Sequence, residues 1–371
     1  MDSTNRSQAE EESGNRAVVA APETQRASGP AGGGMRRERL LAHVRRFGGK
    51  RVLVVGDMVA DEYIAGTPER ISREAPVLIL THSGQFTVPG GATNPGANCR
   101  SLGAEVFLAG VVGDDESGER LRAELVGQGI HMEGLFNEPG RPTSTKTRVL
   151  AGGTQLKQQQ IVRIDRIDHS VLGEDCVRKI IAYLRATIPL VDALIVSDYE
   201  TGETGVITQA IIEDALPLAL SAGKIVTVDS HSDLTRFQHV TALTPNQPEA
   251  EATLGMRISD RDSLERAGAR LLEQTRAHGV LITRGSEGMS LFECGQPPLH
   301  IPASNLTEVY DPTGAGDTVA ATFTLALAAG APMAEAAVLA NIAAGLVVRR
   351  IGCATNTPDE LMAAVTALVD A

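Results

Sequence analysis

The chain has 371 residues, 42% of them hydrophobic and 22% charged, and carries a formal net charge of −12. That composition allows one large core or two modest ones and excludes a fibre or a wholly disordered polypeptide. The acidic balance also argues against nucleic acid as a partner, because proteins that bind a phosphate backbone gather lysine and arginine on one face.

Residues 1–35 contain no Leu, Ile or aromatic side chain. They cannot bury enough apolar surface to offset the entropy of ordering, so a disordered tail is expected ahead of one domain over 36–371. From Arg36 the pattern changes. Leu40, Leu41, Val44 and Phe47 fall on one helical face, and the arginines form a solvated surface or, alternatively, a basic contact patch. "RVLVVGD" (51–57) then reads as a short buried strand. Beyond it, "EVFLAG", "DALIVSD", "KIVTVD", "TALTPN" and "GVLITRG" alternate with the helical periods "EDCVRKIIAYLRAT", "VITQAIIEDALPLALSAG" and "SLERAGARLLEQTRAHG". Such alternation predicts an α/β fold whose mainly parallel sheet is covered by helices on both faces. The strands tend to end in Asp, Asn or Gly, which suits a site at the carboxyl edge of the sheet.

Two segments break the rhythm. "VLILTHSGQFTVPGG" (77–91) and "TSTKTRVLAGGTQLKQQQIVRID" (143–165) show β-branched alternation and glycine turns without an intervening helix. They predict antiparallel strands in a small separate sheet, a lid drawn from about 63–88 and 143–165, with an ordinary edge extension as the alternative. An exposed edge there invites pairing with a second copy, so a homodimer through the lid is expected. The four cysteines, Cys99, Cys176, Cys294 and Cys353, are far apart and lack metal-ligand spacing. No run is long and apolar enough to cross a bilayer, and the N-terminus lacks a secretory core, so a cytoplasmic protein with no membrane partner is expected.

The chemistry concentrates in "DPTGAGDTVAATFTLALAAG" (311–330). Gly314 and Gly316 let the backbone approach a ligand, and the helix that follows turns unpaired N–H groups and its positive end toward that point, which makes an anion site. Asp317 in the first turn would repel a phosphate. It makes sense if it takes a proton from a sugar hydroxyl while the neighbouring nest holds charge on a transferring phosphoryl group. A carboxylate that merely complements the helix dipole is the other reading. Neither GxxxxGK[ST] nor GxGxxG after a first strand occurs, which excludes a P-loop and leaves a dinucleotide site unsupported.

Residues 311–317 match D-x-T-G-A-G-D, and "PGGATNPGANCRSLGA" (89–104) supplies a glycine-rich partner motif followed by "GDDESGERL". With these two motifs the sequence resembles the ribokinase-like (PfkB) carbohydrate kinases over about residues 50 to 368. Within that family it is most similar to the heptose 7-phosphate kinases of lipopolysaccharide-core biosynthesis, through "VVGDMVADEYIAG", "RISREAP", "TKTRVLAGG", "SDY", "LTPNQPEA", "LITRGSEGMSLF" and "EVYDPTGAGDT". Many of those relatives carry a nucleotidyltransferase domain with an HxGH motif, which this sequence lacks, so only the kinase half is expected.

The resemblance implies a ribokinase-like fold and an ATP-dependent kinase acting on the anomeric hydroxyl of a phosphorylated seven-carbon sugar. Asp317 would be the catalytic base, and Gly314, Ala315 and Gly316 the anion hole. Asn246 and Glu249 in "NQPE" would position ATP with magnesium, Glu249 acting through metal-bound water. Asn246 is alternatively a helix cap. Thr283 and Gly285 in "TRGSEG" would lie along the nucleotide, and Asn341 near adenine or, equally, in packing. Asp57, Asp61, Gly90, Gly91, Asn94 and Asp198 would hold sugar hydroxyls, with Asp57 as a strand-end turn residue in the alternative reading. Lys146, Arg148 and Arg163, together with Arg70 and Arg73, would meet the sugar's phosphate. The chain departs from its relatives at Glu200–Gly202, at "DSHS" (229–232) where many have "DPKG", and at Pro95 and Gly96. These changes touch the sugar more than the reaction. Another sugar or nucleoside kinase of the family is the second reading. A catalytically silent sensor is the third, disfavoured by the retention of Asp317.

Overall fold

A computed structural model of the chain describes residues 30–153, 156–199, 204–305 and 309–369. Residues 1–29 of the expected tail and the departure at Glu200–Gly202 lie outside the described residues. The first helix, Pro30–Arg45 (α1), begins ahead of the expected Arg36.

A nine-stranded sheet forms the centre. From one edge to the other it runs Leu299–Ile301 (β13), Met289–Glu293 (β12), Gly279–Thr283 (β11), Ala242–Leu243 (β10), Ile225–Ser230 (β9), Ala193–Asp198 (β8), Arg51–Gly56 (β1), Glu105–Val111 (β4) and His131–Phe136 (β5). All neighbours pair parallel except β11–β12 and β12–β13, which are antiparallel. The chain builds outward from β1 through β4 and β5, then returns to lay β8 to β11 on the other side. The strand order therefore reverses beside β1 and β8, where a crevice opens at the carboxyl ends.

Alternation along β1 explains the two helical layers. Val52 and Val54 enter one core with Leu40 of α1, Leu121 of Glu116–Gly127 (α3), Phe323 of Ala315–Ala328 (α8), Leu339 of Met333–Val347 (α9) and Leu361 of Pro358–Val369 (α10). Leu53 and Val55 enter the other, with Ile180 of Glu174–Thr187 (α4), Ile211 of Gln209–Ser221 (α5), Ala250 of Gln247–Leu254 (α6) and Leu271 of Arg261–Thr275 (α7). A strand covered on both faces must be apolar at every position, which is why "VLVV" carries no alternation of its own.

A separate four-stranded sheet follows the order Leu78–Gly91 (β3), Met58–Ile71 (β2), Ser144–Gly153 (β6) and Leu156–Arg166 (β7). The expectation of purely antiparallel strands is corrected at one seam: β2 pairs with β6 in parallel, while β2–β3 and β6–β7 are antiparallel hairpins. The seam joins two hairpins from distant parts of the chain, so no tight turn dictates its direction. Because β3 runs directly into the helix Thr93–Ser101 (α2), the small sheet is anchored at the crevice.

Candidate active site

Asp317 stands at the mouth of the crevice, in the first turn of α8 and only 6% exposed. Gly314 caps that helix with φ of 78°, a left-handed conformation that disfavours any side chain. A Cβ there would also lie 2.8 Å from Asn94 Nδ2, so the glycine leaves room for Asn94 to reach the carboxylate. Asn94 Nδ2 donates to Asp317 Oδ2 at 2.6 Å, and the Tyr199 hydroxyl donates to Oδ1 at 2.5 Å. The Asn94 amide is oriented by a relay: Thr318 Oγ1 donates to Asn98 Oδ1, and Asn98 Nδ2 donates to Asn94 Oδ1 at 3.0 Å. Burial pushes the Asp317 carboxyl up to about 6, against the two donors that favour its ionised form. The group is thus ionised at neutral pH yet has substantial proton affinity, as a general base requires.

Beside it, Asp61 is paired with Arg148 across the β2–β6 seam at 2.9 Å, with 5% and 7% of the two side chains exposed. Cys353 donates its thiol to the second Asp61 oxygen at 3.1 Å. Gly90 is required here, since a Cβ would sit 2.7 Å from the Asp61 carboxyl carbon.

Two other predicted sugar ligands are engaged structurally. Asp57 accepts the backbone N–H groups of Tyr199 and Val206 at 2.9 and 2.6 Å, which ties the residue after β8 to Val206. Asp198, fully buried, accepts Ser230 Oγ at 2.7 Å, Ser232 Oγ, and Arg236 Nη1 at 3.3 Å. The "DSHS" departure therefore supplies the hydroxyls that hold Asp198.

Of the residues expected along a nucleotide, Thr283, Gly285 and Asn341 line one cavity of about 360 Å³ together with Ala315 and Gly316, walled by Met289, Val319, Ala344 and Val348. A Cβ at Gly316 would meet nothing within 4 Å, so the helix start is open toward this cavity. Asn341 Nδ2 donates to the Pro302 carbonyl at 2.9 Å. Asn246 and Glu249 form a reciprocal capping box at the start of α6, the Asn246 N–H donating to Glu249 Oε2 at 2.8 Å and the Glu249 N–H to Asn246 Oδ1 at 2.9 Å. Burial pushes Glu249 up to about 7, and the Asp317 charge adds to the shift. Asn246 also forms an isolated parallel bridge with Thr283.

The expected phosphate ligands divide. Lys146 Nζ lies 5.1 Å above the Tyr199 ring and acts electrostatically on Asp317. Arg148 is neutralised by Asp61. Arg163 is exposed on the outer strand β7, opposite Arg148 in the register, and forks onto Asp165 at 2.8 and 2.6 Å. Arg70 and Arg73 are exposed at the far end of the β2–β3 hairpin. At strand rise, Arg70 is roughly 30 Å along β2 from Asp61, beyond the reach of a sugar phosphate seated at Asp317.

Sequence reasoning missed Tyr199, Cys353 and Asp229. Burial, with Asp317 and Glu249 nearby, raises Asp229 well above the carboxylate range. "SDY" and "DSHS" both end strands at the carboxyl edge, which was the available signal for the first and third. Cys353 had none, since it reaches the site from a loop near the C-terminal helix.

Residues 50–360 match the profile of the pfkB family carbohydrate kinases. The bifunctional protein HldE of Geobacter sulfurreducens is 43% identical over 326 residues, 88% of this chain and 64% of that protein. HldE of Desulfatibacillum aliphaticivorans is 42% identical over 321 residues, 86% and 64% of the two chains. The chain thus spans less than two thirds of these relatives. Among solved structures, Arabidopsis thaliana ribokinase complexed with ribose and ATP superposes with a TM-score of 0.63 at 21% identity, covering 87% of this chain and 99% of that one. Escherichia coli phosphofructokinase-2 in complex with substrates and products gives 0.68 at 17% identity, covering 86% and 99%. The ribokinase-like fold is common to all three.

Proposed function

We infer the reaction from one premise: this chain belongs to the pfkB family of carbohydrate kinases. It is an ATP-dependent sugar kinase. The acceptor we assign is D-glycero-β-D-manno-heptose 7-phosphate, converted at its anomeric hydroxyl to the 1,7-bisphosphate in lipopolysaccharide-core synthesis. The motif run from "VADEYIAG" through "RISREAP" to "TKTRVLAGG" supports that acceptor.

The observation that carries the mechanism is the buried Asp317 carboxylate beside the open helix start at Gly314–Gly316. The acceptor hydroxyl gives its proton to Asp317, its oxygen forms a bond to the γ-phosphorus, and the bond to ADP breaks. Backbone N–H groups at the start of α8 face the equatorial oxygens and stabilise the charge that spreads over them. The cavity walled by Met289, Val319 and Asn341 takes adenine. Lys146, which forms no ion pair among the described residues, is the cation offered to phosphate from the small sheet.

Magnesium fits this site as an ion held mainly by ATP and water. Among the described residues no cluster of three ligating side chains occurs, and magnesium commonly needs only one or two carboxylates beside phosphates. Glu249 would hold it through water, and bound magnesium supplies charge neutralisation at the phosphates.

Val162 and Ile164 stand about half exposed on one face of β7. A second copy laid on that sheet would cover them and close the lid, giving a homodimer that light scattering would detect. Among the described residues no helix is long and apolar enough to cross a membrane, and we place the enzyme in the cytoplasm, where ATP is available.

The test is an ADP-release assay with purified protein across sugar phosphates. Turnover on heptose 7-phosphate is expected. Brisk turnover on fructose, ribose or a nucleoside with none on the heptose would move the acceptor elsewhere in the family.

A further inference from the structure

Tyr199 neither gives nor takes a proton or phosphoryl group in the proposed transfer, yet it touches the base. It directly follows β8 at the topological switch, and its backbone N–H is held by Asp57 Oδ2 at 2.9 Å. Its ring packs against His231, centroids 4.5 Å apart, and lies beneath Lys146 Nζ. Backbone, ring face and cation hold the side chain from three directions, and its hydroxyl meets Asp317 Oδ1 at 2.5 Å.

We propose that Tyr199 is a positioning residue of the base: its donated hydroxyl, opposite Asn94, fixes the Asp317 carboxylate in one orientation and holds it ionised for the acceptor. The inference rests on Asp317 acting as that base. Two donors on two different oxygens stop the carboxylate from rotating, and each oxygen keeps a lone pair for an incoming hydroxyl. Asn94 alone would leave rotation about the Cβ–Cγ bond open on the Oδ1 side.

The electrostatic surroundings make the contact consequential. Asp61 raises the proton affinity of Asp317 and Lys146 opposes it, while the Asp317 charge itself acts on Asp229, Glu249 and Cys353 from three further elements. Of these groups and Tyr199, only the tyrosine donates a hydrogen bond to Asp317. Burial keeps the tyrosine proton in place, pushing its loss well above the ordinary range, so the hydroxyl remains a donor throughout the working pH. A hydrogen bond to the charged form lowers a carboxyl's proton affinity. Removing it must raise that affinity and move the requirement for an ionised base to higher pH.

The experiment is a pH profile of kcat/KM for Tyr199→Phe, which keeps the ring against His231 and Lys146, and for the chain carrying 3-fluorotyrosine at 199, whose hydroxyl is a stronger donor. Thermal melting and the KM for ATP are recorded alongside. The expected result is an ascending limb displaced to higher pH in Tyr199→Phe and to lower pH in the fluorinated protein, with a loss that shrinks as pH rises. An equal fold-loss at every pH, or limbs unmoved in both proteins, would overturn the proposal. Asp317→Asn serves as the reference: if it is inactive while the limbs stay put, only the role of Tyr199 falls, whereas full activity in it overturns the base assignment as well.

Discussion

Arg148 Nη1 lies 2.9 Å from Asp61 Oδ1, and only 7% and 5% of the two side chains reach solvent. Two buried charges of opposite sign sit at the seam between the small sheet's hairpins, so the pair ties β2 to β6 beside Asp317. Breaking such a pair leaves one charge buried without its partner, at a cost of about 3–5 kcal/mol. Arg148→Met and Asp61→Asn should each lower stability by that order in urea unfolding. The double replacement should cost clearly less than their sum, because neither lone charge remains. Strict additivity would mean that the two side chains do not depend on one another.

Asp317→Asn should reduce kcat by about 10²–10⁴-fold while nucleotide still binds, as loss of a general base does. Its pH signature has a definite sign. The folded carboxyl sits at about 6, above the value of about 3.9 for an unfolded chain. The fold therefore favours the protonated form, and that contribution is lost as pH rises through 6. The asparagine does not titrate. The melting temperature of the variant relative to the parent should accordingly increase between pH 5 and pH 7.5. A difference that stays flat, or falls, would show that Asp317 is not held as a desolvated charge.

The sequence made the main sheet legible because its strands are short apolar runs interrupted by long helical periods, as with "DALIVSD" before α5 and "EDCVRKIIAYLRAT" over α4. The antiparallel edge strands β12 and β13 were less visible, being a hairpin appended to a parallel array. Asp317, Gly314 and Asn94 could be found because each belongs to a local motif. The contact of Tyr199 with Asp317 spans 118 positions in the chain, and no local pattern encodes it. Asp57 and Asp198 were readable as strand-end carboxylates, but whether such a group faces a ligand or a loop depends on where the next segment returns. Here Val206 donates to Asp57, and the serines of "DSHS" donate to Asp198.

Gly316 separates folding from ligand binding. It lies in the first turn of α8, and a methyl group there would meet no protein atom within 4 Å. Alanine improves helix propensity by up to about 1 kcal/mol over glycine, so Gly316→Ala should melt at the same temperature or higher. The same methyl projects toward the cavity assigned to ATP and should obstruct the phosphoryl group, raising the KM for ATP or lowering kcat by at least about tenfold, the equivalent of 1.4 kcal/mol. Unchanged kinetics would remove the helix start from phosphate binding. A lower melting temperature would mean that the open space is filled in solution.

Cys353 places a thiol within the acidic half of the site, donating to Asp61 and close to Gly314. Burial, followed by the charges of Asp61 and Asp317, pushes its ionisation well above the ordinary thiol range. The thiolate is the nucleophile in alkylation, so a thiol surrounded by carboxylates should be protected even where a small reagent can reach it. With iodoacetamide at pH 8, peptide mass spectrometry should find Cys294, which is exposed, modified well before Cys353. Removing a carboxylate tests the cause: in Asp61→Asn one of the charges opposing thiolate formation is gone while Arg148 remains, and Cys353 should react faster than in the parent. If it instead reacts as fast as Cys294 in the parent protein, the carboxylates do not govern its chemistry and the acidic character assigned to this half of the site is wrong.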